Sequence, residues 1–564
     1  MDNLLLLKLN RTIWVSLLEQ EKIVEAISYF ESYQNSLLML KAEKTLKDEI
    51  LREVKYSQDV FLSRMVQLAQ DYVDNGDYAN AAICYTSIFK YDQNNIDNLR
   101  DYIKSLDELG QYDLEIGLVE HLKKIGDNDI ESYKLLSEIC SKRNEIEKTI
   151  EYYEKYLTLK GENNITANEY NQLGCYYNLL YSNKSGKYSD IIKSLNNFEK
   201  AAQMEPFVRL FHKNATIMAS KANALPIGRK HWDALLEIGQ MTNDDKYDYS
   251  AFCLRAGDFE EWHKYFDSRF DKEHNRTQYP KISKPKWDGI KDISHCTLLV
   301  HHEQGFGDTF LMWGYMPRLI KLAKRVIFVV QDPIYELLKA NDWGVEVLPA
   351  KSTDLSKLNF DYHIPSMSIP IALKLNKDNI SVGEGYIKPN INLVEQYKEK
   401  FFNNNKFKIG ISFSGSPSGN LTRNIAIENF LPLDGLEGIE IYSLTKGVED
   451  NKFDCFKKNK VINIAKDFNN FADTAAAMAN LDVVLTSDNC ILNLAGALGL
   501  KTLGLFNWHY EFRWFDLSGD NVVWLTSVKP FVNKGINDWE SSIVPAVEEI
   551  KKMKDELAST AGVI

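Results

Sequence analysis

Residues able to do chemistry gather just after short β-rich runs in the second half of this 564-residue sequence. The first group is Glu303-Gln304-Gly305-Phe306-Gly307-Asp308-Thr309, which follows an apolar run and opens a helical stretch. Gly305 and Gly307 let the backbone turn tightly and leave amide N–H groups free at the helix start, where an anion or a reacting group is favoured. Asp308 reads in two ways, as a plain helix N-cap or as a general base that takes a proton from an acceptor hydroxyl. His301 and His302 lie just upstream, but one of two adjacent strand histidines points into the core, so neither is given a role.

A second group follows later strands. Ser414-Gly415-Ser416-Pro417 is a small-residue loop that admits phosphates to backbone hydrogen-bonding distance, with Arg423 beyond it as a charge-assisted contact or as a plain surface arginine. Lys446, in Ser443-Leu444-Thr445-Lys446-Gly447, is a further nucleotide contact. Asp488 and Asn489 open a helix whose N-terminus suits a diphosphate, and Ala495-Gly496-Ala497 behind them forms a small face for close packing on a sheet. Arg513 sits among aromatics in Asn507-Trp508-His509-Tyr510-Glu511-Phe512-Arg513-Trp514, either as a phosphate clamp beside a base-stacking ring or within a buried aromatic plug.

The elements that hold these residues have two periodicities. To about residue 275 apolar residues recur at helical spacing, and Gly76-Asp77-Tyr78, Gly110-Gln111-Tyr112 and Asn144 mark a period expected of tetratricopeptide (TPR) repeats. Gly186-Lys187-Tyr188 and Gly257-Asp258-Phe259 continue it irregularly, giving six or seven degenerate units. Such helix pairs stack into a curved solenoid whose concave face suits a polypeptide. Tyr152, Tyr153 and Tyr156 either line that groove or belong to the core. From about residue 296, runs at 297–301, 326–331, 408–413, 439–444, 481–486 and 501–506 alternate with helical stretches, which predicts parallel sheets covered by helices. The expected organisation is therefore an all-helical TPR-like domain (1–275), a linker (276–295), a first, acceptor-side Rossmann-like domain (296–395), and a second, nucleotide-sugar domain with a C-terminal helix (396–564). Ligands of such sheets bind outside the carboxyl ends of the strands, where the residues above fall.

Composition narrows the function. The chain carries 67 basic and 79 acidic side chains, a formal charge of −12, which repels a nucleic-acid backbone. Its seven scattered cysteines never form a C-x-x-C pair, which argues against a disulfide framework or structural zinc and fits a reducing cytoplasm. Neither an export signal nor a membrane span is read at the start, where Lys8 breaks a short apolar run.

From about Gly257 to Asp516 the chain resembles bacterial TPR proteins that carry a C-terminal glycosyltransferase domain of the heptosyltransferase-like GT-B fold, similar to flagellin and other protein O-glycosyltransferases. The resemblance runs through Gly257-Asp258-Phe259-Glu260-Glu261-Trp262, Pro285-Lys286-Trp287-Asp288-Gly289, the Gly305–Thr309 and Ser414–Pro417 groups, Phe471-Ala472-Asp473-Thr474-Ala475 and Leu494-Ala495-Gly496-Ala497-Leu498-Gly499. It implies a nucleotide sugar on the second Rossmann unit as co-substrate, no cofactor or metal, inversion at the sugar, Asp308 as base, and a protein acceptor captured by the repeats. The sequence departs from the pattern at Asn493, where a histidine is usual, and at Ile425, where a second arginine is common. Those departures keep open a non-catalytic TPR scaffold whose transferase module has decayed; a transferase acting on a lipid-linked or polysaccharide acceptor, with the repeats used for assembly, is a separate alternative.

Overall fold

The computed structural model describes residues 2–41, 47–126, 130–272, 280–415, 423–514, 521–535 and 537–561. Among the described residues fourteen α-helices precede the first strand: α1 (Asp2–Glu19), α2 (Ile23–Lys41), α3 (Lys47–Asp74), α4 (Tyr78–Tyr91), α5 (Ile96–Glu108), α6 (Tyr112–Ile125), α7 (Ile130–Lys142), α8 (Ile146–Lys160), α9 (Ala167–Leu180), α10 (Tyr188–Met204), α11 (Arg209–Lys221), α12 (Leu225–Ile238), α13 (Asn243–Arg255) and α14 (Phe259–Tyr265). The expected turns at Gly76, Gly110, Asn144, Gly186 and Gly257 all have positive φ. Glu21 and Asn223 do the same between α1 and α2 and between α11 and α12, where the sequence carries no glycine to betray the turn. Left-handed backbone is cheapest for glycine and next cheapest for asparagine, which explains Asn144 and Asn223.

The chain divides into two compact units, Met1–Lys184 and Ser185–Ile564, so the division falls inside the helical array and not at its end. The first unit is purely helical, with a core built from residues such as Trp14, Phe30, Phe61, Ala69, Ala81, Tyr85 and Leu122. Tyr153 and Tyr156 are buried, which places them in the core of that unit; Tyr152 remains partly exposed.

In the second unit, α10–α14 are followed by two all-parallel sheets. The first has order β3-β2-β1-β4, from β1 (Thr297–His301), β2 (Arg325–Val330), β3 (Val345–Pro349) and β4 (Tyr362–Pro365). The second has order β10-β9-β8-β5-β6-β7, from β5 (Phe407–Ser412), β6 (Ile439–Ser443), β7 (Val461–Asn463), β8 (Val483–Ser487), β9 (Thr502–Phe506) and β10 (Val528–Val532). The helices among them are α15 (Phe306–Trp313), α16 (Met316–Leu319), α17 (Asp332–Lys339), α18 (Ile369–Ala372), α19 (Ile391–Phe401), α20 (Phe471–Met478), α21 (Cys490–Leu498) and α22 (Glu540–Ala561). This is a helical-repeat array followed by two Rossmann-like sheets in the GT-B manner.

The segment expected to be a linker is partly described, and what is described packs on the first sheet. Lys286 forms a β-bridge with His363 of β4, Trp287 is buried, and Gly289 lies so close to Ala372 that a Cβ there would clash with its carbonyl oxygen. The boundary near 275 falls among residues outside those described. Within the second unit, a charged node ties the segment after α14 to the loop after β1. Arg269 is 1% exposed and grips Glu303 with two hydrogen bonds, Nε to Oε1 at 2.8 Å and Nη2 to Oε2 at 2.9 Å, while also reaching Ser368 and Asp267.

Such a pair repays its desolvation only when complete, and removing one partner strands a buried charge. Arg269→Ala should therefore lower unfolding stability of this unit by about 3–5 kcal/mol, whereas Arg269→Met with Glu303→Leu should recover most of that loss. Urea unfolding followed by tryptophan fluorescence measures both; a single-variant loss below about 1 kcal/mol would show that the node contributes little.

Candidate functional site

A cleft of about 780 Å³ opens at the carboxyl ends of both sheets. The candidate base and donor-binding residues line it: Gly305, Gly307 and Asp308 after β1, Ser414, Gly415 and Arg423 after β5, Lys446 after β6, Asp488, Asn489 and Asn493 after β8, and Arg513 after β9. Ser416 and Pro417 lie outside the described residues.

The structure corrects several roles read from spacing. Gly305 and Gly307 do not make the tight turn, since neither has positive φ; Gln304 does, at φ 61°. Gly305 is the N-cap of α15, and Asp308 is its third helical residue, with Oδ2 accepting the Gly305 N–H at 2.9 Å. Asp308 is thus not the N-cap. Its other oxygen, Oδ1, takes an ion pair from Arg513 Nη1 across the cleft. Gly307 serves close approach: a Cβ there would lie 2.6 Å from Asn493 Nδ2, so the absence of a side chain lets α15 meet α21. Asn493 donates to the Asn489 carbonyl at 3.3 Å.

On the second sheet, Asn489 is the N-cap of α21, its side chain accepting from Ile491 N–H at 2.8 Å and donating to Ser412 Oγ at 3.0 Å. The Gly415 N–H is not open to a phosphate in this state, because Asn424 Oδ1 accepts it at 3.0 Å. Arg423 Nη1 stands 3.6 Å from Asp488 Oδ2, while Lys446 is exposed at the rim. Burial pushes the Asp488 carboxyl up, against the pull of Arg423 and Arg513. Cys490 beside it is likewise pushed up by burial, to about 11, and stays a neutral thiol.

The loop carrying Arg513 combines its two sequence readings. Trp514 is fully buried against Phe506, and Trp508 packs edge-on to Tyr188, as a plug would. Arg513 nevertheless emerges into the cleft, held by Trp524 Nε1 donating to its carbonyl at 2.6 Å. Burial, helped by the nearby Arg255 charge, depresses His509 to about 4. Of the two strand histidines, His301 is buried and His302 half-buried.

No site role was read from the sequence for Phe468, Asn469 and Asn470, which line the cleft before α20, or for Phe471, the first residue of that helix. Asn470 caps α20 through Ala472 N–H at 2.8 Å, repeating the Asn489 cap of α21. The signal was an Asn immediately before each helix, whose side chain accepts the N–H two residues on. Phe471 meets Phe306 edge-on at 5.1 Å, placing an aromatic contact across the cleft.

No family model matches the chain, and no curated protein matches it. Among solved structures it is similar to a glycosyl transferase family 9 protein from Veillonella parvula, at 12% identity and a TM-score of 0.36, over 46% of this chain and 99% of that one. It is also similar to the C-terminal part of a TPR repeat-containing protein from Cytophaga hutchinsonii (14% identity, TM-score 0.31, 48% of this chain and 97% of that one). MamA from Desulfovibrio magneticus is similar at 15% identity and a TM-score of 0.27, over 32% of this chain and 94% of that one. The fold assignment rests on the strand order and register of the chain itself.

Two consequences follow for stability. Gly307→Ala should cost about 1–3 kcal/mol through overpacking against Asn493, and adding Asn493→Ala should recover at least half of it; additive losses in a double-mutant cycle would contradict the contact. The folded state disfavours the His509 imidazolium, so its contribution is intact above the ordinary value of 6.5 and is lost as pH falls from there toward about 4. His509→Gln should therefore flatten the decline in urea midpoint over that window, and an unchanged slope would contradict it.

Proposed function

We propose that the chain is a glycosyltransferase that moves a sugar from a nucleotide-sugar donor to a hydroxyl of a protein acceptor, with inversion and without a metal. The observation that carries the reading is the convergence, in one cleft at the carboxyl ends of two parallel sheets, of Asp308 with Arg423, Lys446 and Arg513. A donor diphosphate needs positive charge and hydrogen-bond donors where negative charge builds on the leaving group. An acceptor hydroxyl needs a carboxylate within reach.

In the proposed reaction the donor diphosphate draws Arg513 from Asp308, leaving Oδ1 free beside the acceptor. The acceptor O–H proton passes to Asp308 as the acceptor oxygen forms a bond to the anomeric carbon. The bond from that carbon to the diphosphate breaks, and its electron pair leaves on the phosphate oxygen. Attack opposite the leaving group inverts the centre. The repeats of the helical array present the acceptor polypeptide, a bacterial surface protein such as flagellin being the leading class, modified in the cytoplasm. No helix among the described residues is long and apolar enough to cross a membrane. The scaffold alternative draws on Asn493, whose amide is engaged with Asn489 and cannot become a cation toward phosphate.

A thermal-shift panel of UDP, GDP, ADP, CDP and CMP tests the donor site, since a ligand at a hundred times its Kd stabilises by about 2.7 kcal/mol. One nucleotide should stabilise wild type and Asp308→Asn but not Arg513→Ala, while Asp308→Asn should lower transfer by about 10²–10⁴-fold. Full turnover in Asp308→Asn would remove that residue from the mechanism, and silence from every nucleotide would favour the scaffold.

A further inference from the structure

The cleft contains a carboxylate that the reaction above does not use. Asp488 lines the cleft and is 5% exposed, and its Oδ2 is buried with no hydrogen-bond partner among the described residues. Arg423 lies 3.6 Å away, too far for a hydrogen bond. The other charged and polar groups that face Asp488 are Arg513 and Glu511 from the loop after β9, and the Trp514 indole. Lys446 lines the same cleft from the loop after β6.

Charge counting makes this placement costly for a diphosphate. Arg423, Lys446 and Arg513 bring three positive charges, and Asp308 and Asp488 bring two negative ones when both are ionised. A doubly negative donor diphosphate would then leave the site negative overall, with a bare buried carboxylate oxygen close to phosphate oxygens. A neutral Asp488 removes the repulsion and turns the orphaned oxygen into a hydrogen-bond donor.

We propose that Asp488 holds the donor as the neutral acid, so that binding of the nucleotide sugar takes up a proton, which Asp488 Oδ2 shares in a hydrogen bond with the diphosphate. The proposal rests on the donor-site reading above. Burial already biases this carboxyl toward its protonated form, and an arriving anion biases it further. The same hydrogen bond strengthens as charge accumulates on the leaving oxygen, so Asp488 positions the leaving group while Asp308 serves the acceptor.

Calorimetric titration of the full chain tests this. UDP-N-acetylglucosamine, GDP-mannose and ADP-glucose have diester phosphates that do not titrate near neutral pH, so any proton taken up comes to the protein. The sugar nucleotide that binds is titrated at about pH 7.5 in buffers of low and high ionisation enthalpy. Wild type should show uptake of most of a proton, and its affinity should fall toward tenfold per pH unit at higher pH. Asp488→Asn, whose amide donates a similar hydrogen bond, should bind with neither uptake nor pH dependence, and Asp308→Asn should retain the uptake. Buffer-independent heats in wild type, or uptake that persists in Asp488→Asn, would overturn the proposal; the wild-type arm decides even if the variant folds poorly. A chain that binds none of the three overturns the donor site itself, which is distinguishable from binding without uptake.

Discussion

The cleft depends on one close approach, that of α15 on the first sheet to α21 on the second, made where Gly307 leaves room for Asn493. A Cβ at Gly307 would meet the Asn493 side-chain amide at 2.6 Å, so a side chain there forces that amide, or the two helices, to give way. The Asp308–Arg513 pair spans the same gap and joins residues 205 positions apart in sequence. Smaller contacts hold the second side in place: Gly499 ends α21 in left-handed backbone, where a Cβ would come within 2.9 Å of Gly385 N, and Ile387 donates to the Ala497 carbonyl at 2.9 Å.

The site's electrostatics follow from that closure. Arg513 faces Asp308 and Arg423 faces Asp488, leaving Lys446 exposed at the rim. A resting cleft with paired charges avoids isolated buried ions, which would be costly. It also makes anion binding an exchange of partners, since an arriving diphosphate must compete with two carboxylates for two guanidinium groups. The differential strength of that exchange sets affinity more than the number of positive residues does.

Much of this arrangement was legible in the sequence because strand ends are where parallel sheets bind ligands. The runs that became β1, β2, β5, β6, β8 and β9 are five or six residues long, rich in β-branched and other apolar residues and largely buried, as expected of strands covered on both faces. The strands β4 and β7 escaped notice because they are only four and three residues long, while β3 and β10 carry a proline, and Pro530 in β10 fits only an edge. Glycines revealed most helix turns, while Glu21 and Asn223 take the same backbone without announcing it. What spacing could not supply was partnership. Gly305 and Gly307 looked like turn formers, but their use is set by Asp308 and Asn493, and Arg269 had no visible role until Glu303 came within 2.8 Å.

A structure of the chain crystallised with the sugar nucleotide it binds would test the central claim most directly. The diphosphate should lie in the cleft, within hydrogen-bonding distance of Arg513, with the anomeric carbon facing Asp308 and the Asp308–Arg513 pair opened. A diphosphate bound outside this cleft, or one inside it with the anomeric carbon remote from Asp308 and that pair still closed, would contradict it.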